Sequence, residues 1–420
     1  MPDDLHEAEE GGQRLTLKVV IIGAGAAGLS ALEAVRSVDS RADIAIVSKE
    51  DVPPYSLVAL PYILSNEIED KNLRRFDEDY FKRMNAGVVT GRVTQIDVGG
   101  KRVAVEGRGE LSYDKLLIAS GSIPLVPRIT GLDKKGVHFM GSLSDTWKLR
   151  DAATEARPIV VIGAGFVGLE AAIALRKLGK EVTVVEMLER VLPRMLDPDI
   201  AGIVQKMLEE KGVRVILGSQ VTEVLGAERV AGVRLSSEEI ACDLVVVGIG
   251  VRPNIEFLKG TPVKTNAGIL VDDAMRTNVP DVYAAGDVVE AFDPLMGKAR
   301  TGAIWPNAME QGKVAGLNMA GKKARYSGLD SVNIINIFDV PVVALGLTSL
   351  DAENAESIAT RREKNARKLI IKDDKAVGLQ SIGSVRNLGF VLTLIKKGQK
   401  LGDLREKILD DRFAYPVATR

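Results

Sequence analysis

A β-branched run, Val19 to Ile22, leads directly into Gly23, Gly25 and Gly28, and Ile159 to Ile162 leads in the same way into Gly163, Gly165 and Gly168, 140 positions further on. Glycines at this spacing, between a strand and a helix, suit the pyrophosphate of a dinucleotide. The first permits a tight bend, the second lets backbone approach the phosphates, and the third lets helix pack on strand. Ala26 and Ala27 in the first run, and Phe166 and Val167 in the second, open alanine-rich helical stretches. The N-terminal amides and dipole of such helices favour phosphate. One run of this kind is weak evidence, whereas two in matched context imply two nucleotide sites facing each other in one enzyme.

An acid is expected where the second strand of each unit ends, because a carboxylate there accepts from ribose hydroxyls. In the second unit Val182 to Val185 is followed by Glu186, 23 residues after Gly163, near the spacing of an acid that holds the ribose 2′-OH. It would repel the 2′-phosphate of NADPH, so NADH is favoured. Arg190 and Arg194 downstream either soften that preference or are solvated loop arginines. In the first unit the strand over 44–47 runs into Ser48, Lys49 and Glu50. The usual acid position falls on Ser48, with Glu50 the alternative.

These residues need elements to hold them. Residues 114–118 read as a buried parallel strand stopped by Ala119, Ser120 and Gly121, and 244–247 as its counterpart, ending in Gly248, Ile249 and Gly250. Val282 to Ala285 form a further strand ending in Gly286 and Asp287, and a helix is expected from about 306 to 320, opening on Pro306, Asn307 and Ala308. A polar helical stretch is expected near 69–85. From 326 the pattern changes: 367–372 and 376–382 flank Asp373, Asp374 and Lys375 as a hairpin, and a helical pattern over 387–410 closes a small α+β unit.

The chain's 420 residues exceed a single core, so two or three domains are expected. A 46% apolar, 27% charged composition is that of a soluble globular protein, and a net charge of −1 supplies no field for a nucleic-acid partner. No apolar run approaches the ~18 residues of a membrane span, and no signal peptide is evident, so the cytoplasm is the expected location. Asp3, Asp4, Glu7, Glu9 and Glu10 predict a flexible acidic tail over 1–16. Cys242 is the only cysteine, which excludes an intramolecular disulfide, a CxxC pair and a cysteine-built iron–sulfur site. Its neighbours over 240–247 read as a strand entering the core, so an inert thiol is expected, and no metal site is.

Over roughly residues 17–350 the chain resembles the flavoproteins with two dinucleotide-binding domains, the pyridine nucleotide-disulfide oxidoreductase superfamily that includes NADH oxidases and ferredoxin or rubredoxin reductases. The resemblance rests on five motifs in the superfamily's order. It implies an α/β fold of two Rossmann-like domains plus a small C-terminal α+β domain. The FAD domain would be discontinuous, 17–126 and 251–325, with an NAD domain over 127–250 and an interface domain over 326–420. By the same resemblance the first fingerprint holds FAD and Asp287 holds the ribityl chain, while the helix opening at Pro306 aims its dipole at the flavin. Glu170, in the stretch Gly168, Leu169, Glu170, matches the glutamate near the nicotinamide and flavin edge. It also reads as a first-turn glutamate satisfying the helix dipole. Trp305 reads as packing, and Tyr55 and Tyr62 either wall the flavin or fill their loop.

The departures from the superfamily say more. Redox-active members keep a cysteine in a segment matching residues 55–62, and Val58 stands in its place. The C-terminal His-Glu pair is missing too, since the only histidines are His6 and His138. Cysteine-relay chemistry is excluded, and what the resemblance leaves is a flavin that takes hydride from NADH and gives electrons to an acceptor outside the chain. That acceptor is expected to be an iron–sulfur electron-transfer protein or the other subunits of a dehydrogenase complex, with the chain a homodimer or part of a hetero-oligomer. A stand-alone NADH oxidase reducing oxygen and an NADH-responsive regulatory flavoprotein are the alternatives. Twelve Lys and Arg over 361–405 against four Asp and Glu form either a solvated face or a docking surface for an acidic partner.

Overall fold

The computed structural model describes residues 16–73, 79–362, 365–410 and 413, so nearly all of the expected acidic tail lies outside the described residues. The strand Lys18–Ile22 lies at the centre of a five-stranded parallel sheet, ordered Val282–Ala284, Lys115–Ile118, Lys18–Ile22, Asp43–Ser48, Ala86–Thr90. Its residues Val19 to Ile22 are all buried, the unbroken apolar pattern of a strand covered on both faces. Register pairs Val19 with Ile44 on one side and with Lys115 on the other. A second parallel sheet repeats the plan, ordered Val213–Ile216, Glu181–Val185, Pro158–Ile162, Leu244–Val247, Val137–Phe139. Here Ile159 pairs with Val182 and with Leu244. In both sheets the strand order reverses at the glycine-bearing strand, which opens a crevice at the carboxyl ends of the strands.

The two sheets are threaded, not sequential. Val282–Ala284, the last strand of the first sheet, follows the whole of the second, and the crossing segments Ser122–Pro124 and Val251–Pro253 pair antiparallel. The helix Trp305–Met319 lies along the helix Ala26–Val38: a Cβ on Gly312 would collide with Ala27, and one on Gly316 would sit 2.5 Å from Ala31 O. Only glycine permits that approach. The polar stretch near 69–85 is reduced to a 3-10 turn, Asp70–Asn72, and a short helix, Tyr80–Arg83, with 74–78 outside the described residues.

The C-terminal unit is a five-stranded antiparallel sheet, Val332–Ile337, Val340–Gly346, Lys375–Ile382, Asn365–Lys372, Glu356–Arg362, covered by the helices Leu388–Lys397 and Leu404–Lys407. The hairpin turns on Asp373 and Asp374, at φ +52° and +61°, the two left-handed residues that a tight two-residue turn demands. The basic segment is less of a surface than its sequence implies. Arg367 and Lys368 are buried, Lys396 pairs with Asp330 at 2.6 Å, and Arg405 pairs with Asp374 and Glu356 at 2.9 and 2.6 Å. The side chain of Arg362 and residues 363–364 lie outside the described residues.

This sheet docks on the second unit, whose core takes in Ile335, Val342 and Ile382. At the seam the fully buried Asp197 meets Lys368 Nζ at 2.9 Å and accepts from Ser349 N–H at 3.0 Å, while its own N–H donates to Gln380 Oε1 at 3.0 Å. Burial opposes ionisation of Asp197, but the hydrogen bonds and charge of Lys368 and Ser349 outweigh it and hold the carboxyl below its usual range. Removing one member of a buried pair costs about 3–5 kcal/mol, so Lys368→Ala is expected to lower the thermal midpoint markedly. Because the folded-state carboxyl is depressed, the pair's contribution is present above the ordinary aspartate pKa and is lost as pH falls through the folded value. Thermal scans of wild type and variant should converge on acidification.

Candidate active site

Each fingerprint is a bend pressed against the neighbouring strand. Gly23 has φ +112°, its N–H donates to Val47 O at 2.8 Å, and a Cβ would collide with Ala119 O. A Cβ on Gly28 would collide with Gly23 O, yet nothing lies within 4 Å of one on Gly25. The second loop repeats this. Gly163 has φ +103°, its N–H donates to Val185 O at 2.8 Å, and its Cβ would lie 2.6 Å from Gly248 O. Gly168 abuts Gly163 O, and Gly165 again has nothing within 4 Å. Both loops are thus closed at the first and third glycines and open at the second. Gly25 and Gly165 are also the N-caps of the helices Ala26–Val38 and Phe166–Lys177, with no side-chain cap hydrogen bond. The first amides of a helix lack intrahelical acceptors, so each open cradle fits a pyrophosphate. Ala26 and Ala27 are buried beneath the first loop, while Phe166 and Val167 are half-buried.

Glu186 is buried and braces the second loop: one carboxylate oxygen accepts Ala164 N–H at 2.7 Å, the other Leu188 N–H at 2.9 Å. Arg190 is not a solvated arginine. Its Nε and Nη2 donate to Leu196 O at 3.2 Å and Pro193 O at 2.8 Å, whereas Arg194 is exposed. In the first unit Ser48 is folded into the turn, its hydroxyl donating to Glu50 O at 2.9 Å and accepting Glu50 N–H at 3.3 Å, and Lys49 is exposed. The carboxylate at this sheet edge is therefore that of Glu50, which accepts from Tyr55 Oη at 2.7 Å. Tyr55 is part of a bridge, since its oxygen also accepts Leu143 N–H at 3.0 Å. Tyr62 accepts from Asn336 of the C-terminal sheet at 3.4 Å.

Between the units, Ser120 Oγ donates to Asn254 O at 2.9 Å and Asn254 N–H to Gly121 O at 3.0 Å, which fixes the crossing. The half-buried Asp287 accepts from Ser122 Oγ at 2.8 Å, and burial pushes its carboxyl above the usual range. Gly286 N–H donates to Gln311 Oε1 at 2.8 Å, tying that strand end to the helix Trp305–Met319. Pro306 and Ala308 lie in its first turn, whereas the side chain of Asn307 points into the protein, bonded to Gly302 O, Asp330 O and Tyr326 Oη. Position 307 therefore has only backbone to offer a ligand. Glu170 is half-buried, has no hydrogen bond or ion pair among the described residues, and is pushed by burial up to about 7. Gly248 abuts Gly168, and Ile249 is 39% exposed beside Gly250 at the mouth of the second crevice.

Sequence reasoning left Ser122 and Gln311 out of the site and did not foresee the bridge that Tyr55 makes. Gln311 carried a signal, a large amide one turn after Asn307 on the buried helix face that also bears Ala308, Gly312 and Ala315. Ser122 and Tyr55 gave none, because their partners are 165 and 88 residues away.

Residues 17–312 match the family of pyridine nucleotide-disulphide oxidoreductases. The chain belongs to that family. It is an FAD-dependent NAD(H) oxidoreductase with FAD and NAD(H) as cofactors. It is 33% identical to an NADH oxidase of Methanocaldococcus jannaschii, covering 88% of each chain, and 31% identical to the epsilon subunit of the NADH-dependent phenylglyoxylate dehydrogenase of Aromatoleum evansii, covering 94% of this chain and 96% of that one. A NAD-dependent persulfide reductase from A. fulgidus superposes with a TM-score of 0.89 at 32% identity, covering 95% of this chain and 80% of that one. Within the family the segment over 55–62 is of special interest here. Its 3-10 turn, Leu57–Ala59, leaves Val58 60% exposed. Cys242 lies elsewhere, in the link between the strands Glu239–Ala241 and Leu244–Val247 and not within a strand as its neighbours suggested. It is buried among Val160, Ile162 and Val247, and burial pushes its thiol up to about 12.

Arg190 is committed to carbonyls, and removal of Glu186 tests whether that acid selects between nicotinamide cofactors. A charge-assisted hydrogen bond contributes about 1.5–3 kcal/mol, so Glu186→Ala is expected to weaken NADH use roughly tenfold or more and narrow the NADH/NADPH ratio. Arg190→Ala should lower stability and leave the ratio unchanged. Steady-state constants for both cofactors check the pair, and an unchanged ratio in Glu186→Ala would remove that residue from the ribose.

Proposed function

We propose that this chain is an NADH:acceptor oxidoreductase that hands electrons from its flavin directly to an external iron–sulfur protein, as the flavin subunit of a larger dehydrogenase complex. The observation that carries this reading is Val58, exposed where a relay thiol would stand, with the chain's one cysteine sealed in a core. In this reading the unit over 17–126 and 251–325 holds FAD and that over 127–250 holds NAD(H). Bound FAD supplies the conversion of a two-electron hydride into single-electron steps. The chain's part is placement. Gly25 and Gly165 admit the two pyrophosphates, Glu50 and Glu186 hold the adenosine riboses, and Asp287 holds the ribityl chain with Ser122. Backbone of Ala119 to Gly121, Gly248 to Gly250 and the first turn at Pro306 to Ala308 lines the gap between them. Glu170, with no protein partner, faces the nicotinamide, where its ionised form favours the cationic oxidised ring.

The phenylglyoxylate dehydrogenase relative supports the role of a complex subunit. The NADH oxidase relative supports a second reading, direct reduction of oxygen without a partner. Anaerobic NADH is expected to bleach the yellow protein without a long-wavelength thiolate band, and Cys242→Ser should retain NADH:dye activity. Turnover in air should be slow and rise at least tenfold with an added iron–sulfur acceptor. Fast aerobic NADH consumption by the isolated chain would decide for the oxidase. Because burial raises Glu170, its carboxylate forms only as pH rises through about 7. The rate of flavin reduction by NADH should therefore increase across that range, and Glu170→Gln should flatten the profile.

A further inference from the structure

The glycine loops place each nucleotide at the carboxyl edge of its own sheet, and one hydroxyl spans the two edges. Glu50 follows the strand Asp43–Ser48 of the first sheet, and Leu143 follows the strand Val137–Phe139 of the second. Tyr55 Oη donates to Glu50 Oε2 at 2.7 Å and accepts Leu143 N–H at 3.0 Å. Leu143 is the first residue of the helix Leu143–Glu155, whose N-cap Ser142 accepts from Asp145 N–H at 3.1 Å. The Leu143 amide has no intrahelical acceptor, so Tyr55 satisfies it. Around the hydroxyl, Leu60, Ile63, Leu73 and Leu143 form a small buried cluster against which Tyr55 and Trp147 pack. The same segment is fastened to the second unit twice more, by Asp70 with Arg150 at 3.0 and 3.1 Å and by Glu67 with Lys177 at 2.9 Å. Those two clamps are partly exposed. The tyrosine bridge is the one that touches a residue at a nucleotide edge.

We propose that Tyr55 is a positioning residue that sets the second unit's nucleotide edge against the first, so that the NADH site is aligned through the acid of the FAD site. The proposal rests on the assignment of Glu50 to the FAD ribose and of the second cradle to NADH. Tyr55→Phe keeps the ring and removes both hydrogen bonds. Residues that share one network are non-additive when substituted together, so Tyr55→Phe and Glu50→Gln should act on NADH as one lesion.

Anaerobic stopped-flow reduction of the FAD-loaded protein by NADH tests this, with Tyr55→Phe, Glu50→Gln, the double variant and Arg150→Ala run together. Tyr55→Phe is expected to raise the half-saturating NADH concentration three- to tenfold with the limiting rate within twofold of wild type, and the double variant should be no worse than Tyr55→Phe alone. Arg150→Ala, which loosens the seam at an exposed clamp, should move the half-saturating concentration less than twofold. A half-saturating concentration in Tyr55→Phe within twofold of wild type, or equal effects in Tyr55→Phe and Arg150→Ala, overturns the proposal. FAD dissociation from Glu50→Gln is a separate readout. If it is unchanged, the ribose assignment fails, and the bridge is still judged on the NADH constants of Tyr55→Phe and Arg150→Ala.

Discussion

The absence of a side chain at Gly23, Gly28, Gly163 and Gly168 is the constraint on which the rest of this molecule depends. At each of these positions a single methyl group would meet a backbone carbonyl or its carbon well inside contact distance. Helix, strand and returning strand therefore lie closer than any other residue allows. That closeness brings the amino ends of Ala26–Val38 and Phe166–Lys177 to the carboxyl edge of each sheet. Gly312 and Gly316 apply the same device between the helices Trp305–Met319 and Ala26–Val38, so that Gln311 can reach Gly286 beside Asp287.

Around these backbone contacts the polar side chains act mostly as braces. Glu186 spends an oxygen on each of two loops, Ser122 steadies Asp287, and Ser48 shapes the turn that presents Glu50. Glu170 stands apart, held by no partner among the described residues and raised by burial alone. Glu50, Glu186 and Asp287 each accept a hydrogen bond, whereas Glu170 has none among the described residues.

What the sequence disclosed follows the range of the interactions involved. The two nucleotide units, the hairpin at Asp373 and Asp374, and the helix over 305–319 were legible because strand runs, glycine spacing and turn chemistry act over a few residues. The place of Glu186 directly after the strand Glu181–Val185 was legible for the same reason. The bridge made by Tyr55, the inward turn of Asn307, the tethering of Arg190 and the pairing of Lys368, Lys396 and Arg405 within the basic segment were not. Each depends on a partner supplied by folding, such as Asp330 for Lys396 or Asp197 for Lys368. Charge counted along a chain overstates surface field where folding pairs part of it with acids from elsewhere.

The threading of one sheet through the other orders events during synthesis. Lys115–Ile118 finds one of its two partners, Val282–Ala284, only after the intervening unit has emerged. The first sheet therefore waits with an open edge while the second, whose strands all lie between 137 and 247, can close on itself. Exposed strand edges invite pairing with other chains, and contacts distant in sequence are slow to form. Of the two nucleotide units the one that completes last also carries Asp287, so a ribosome paused after Leu244–Val247 has emerged and before Val282–Ala284 has would hold a chain able to form the second crevice but not the first.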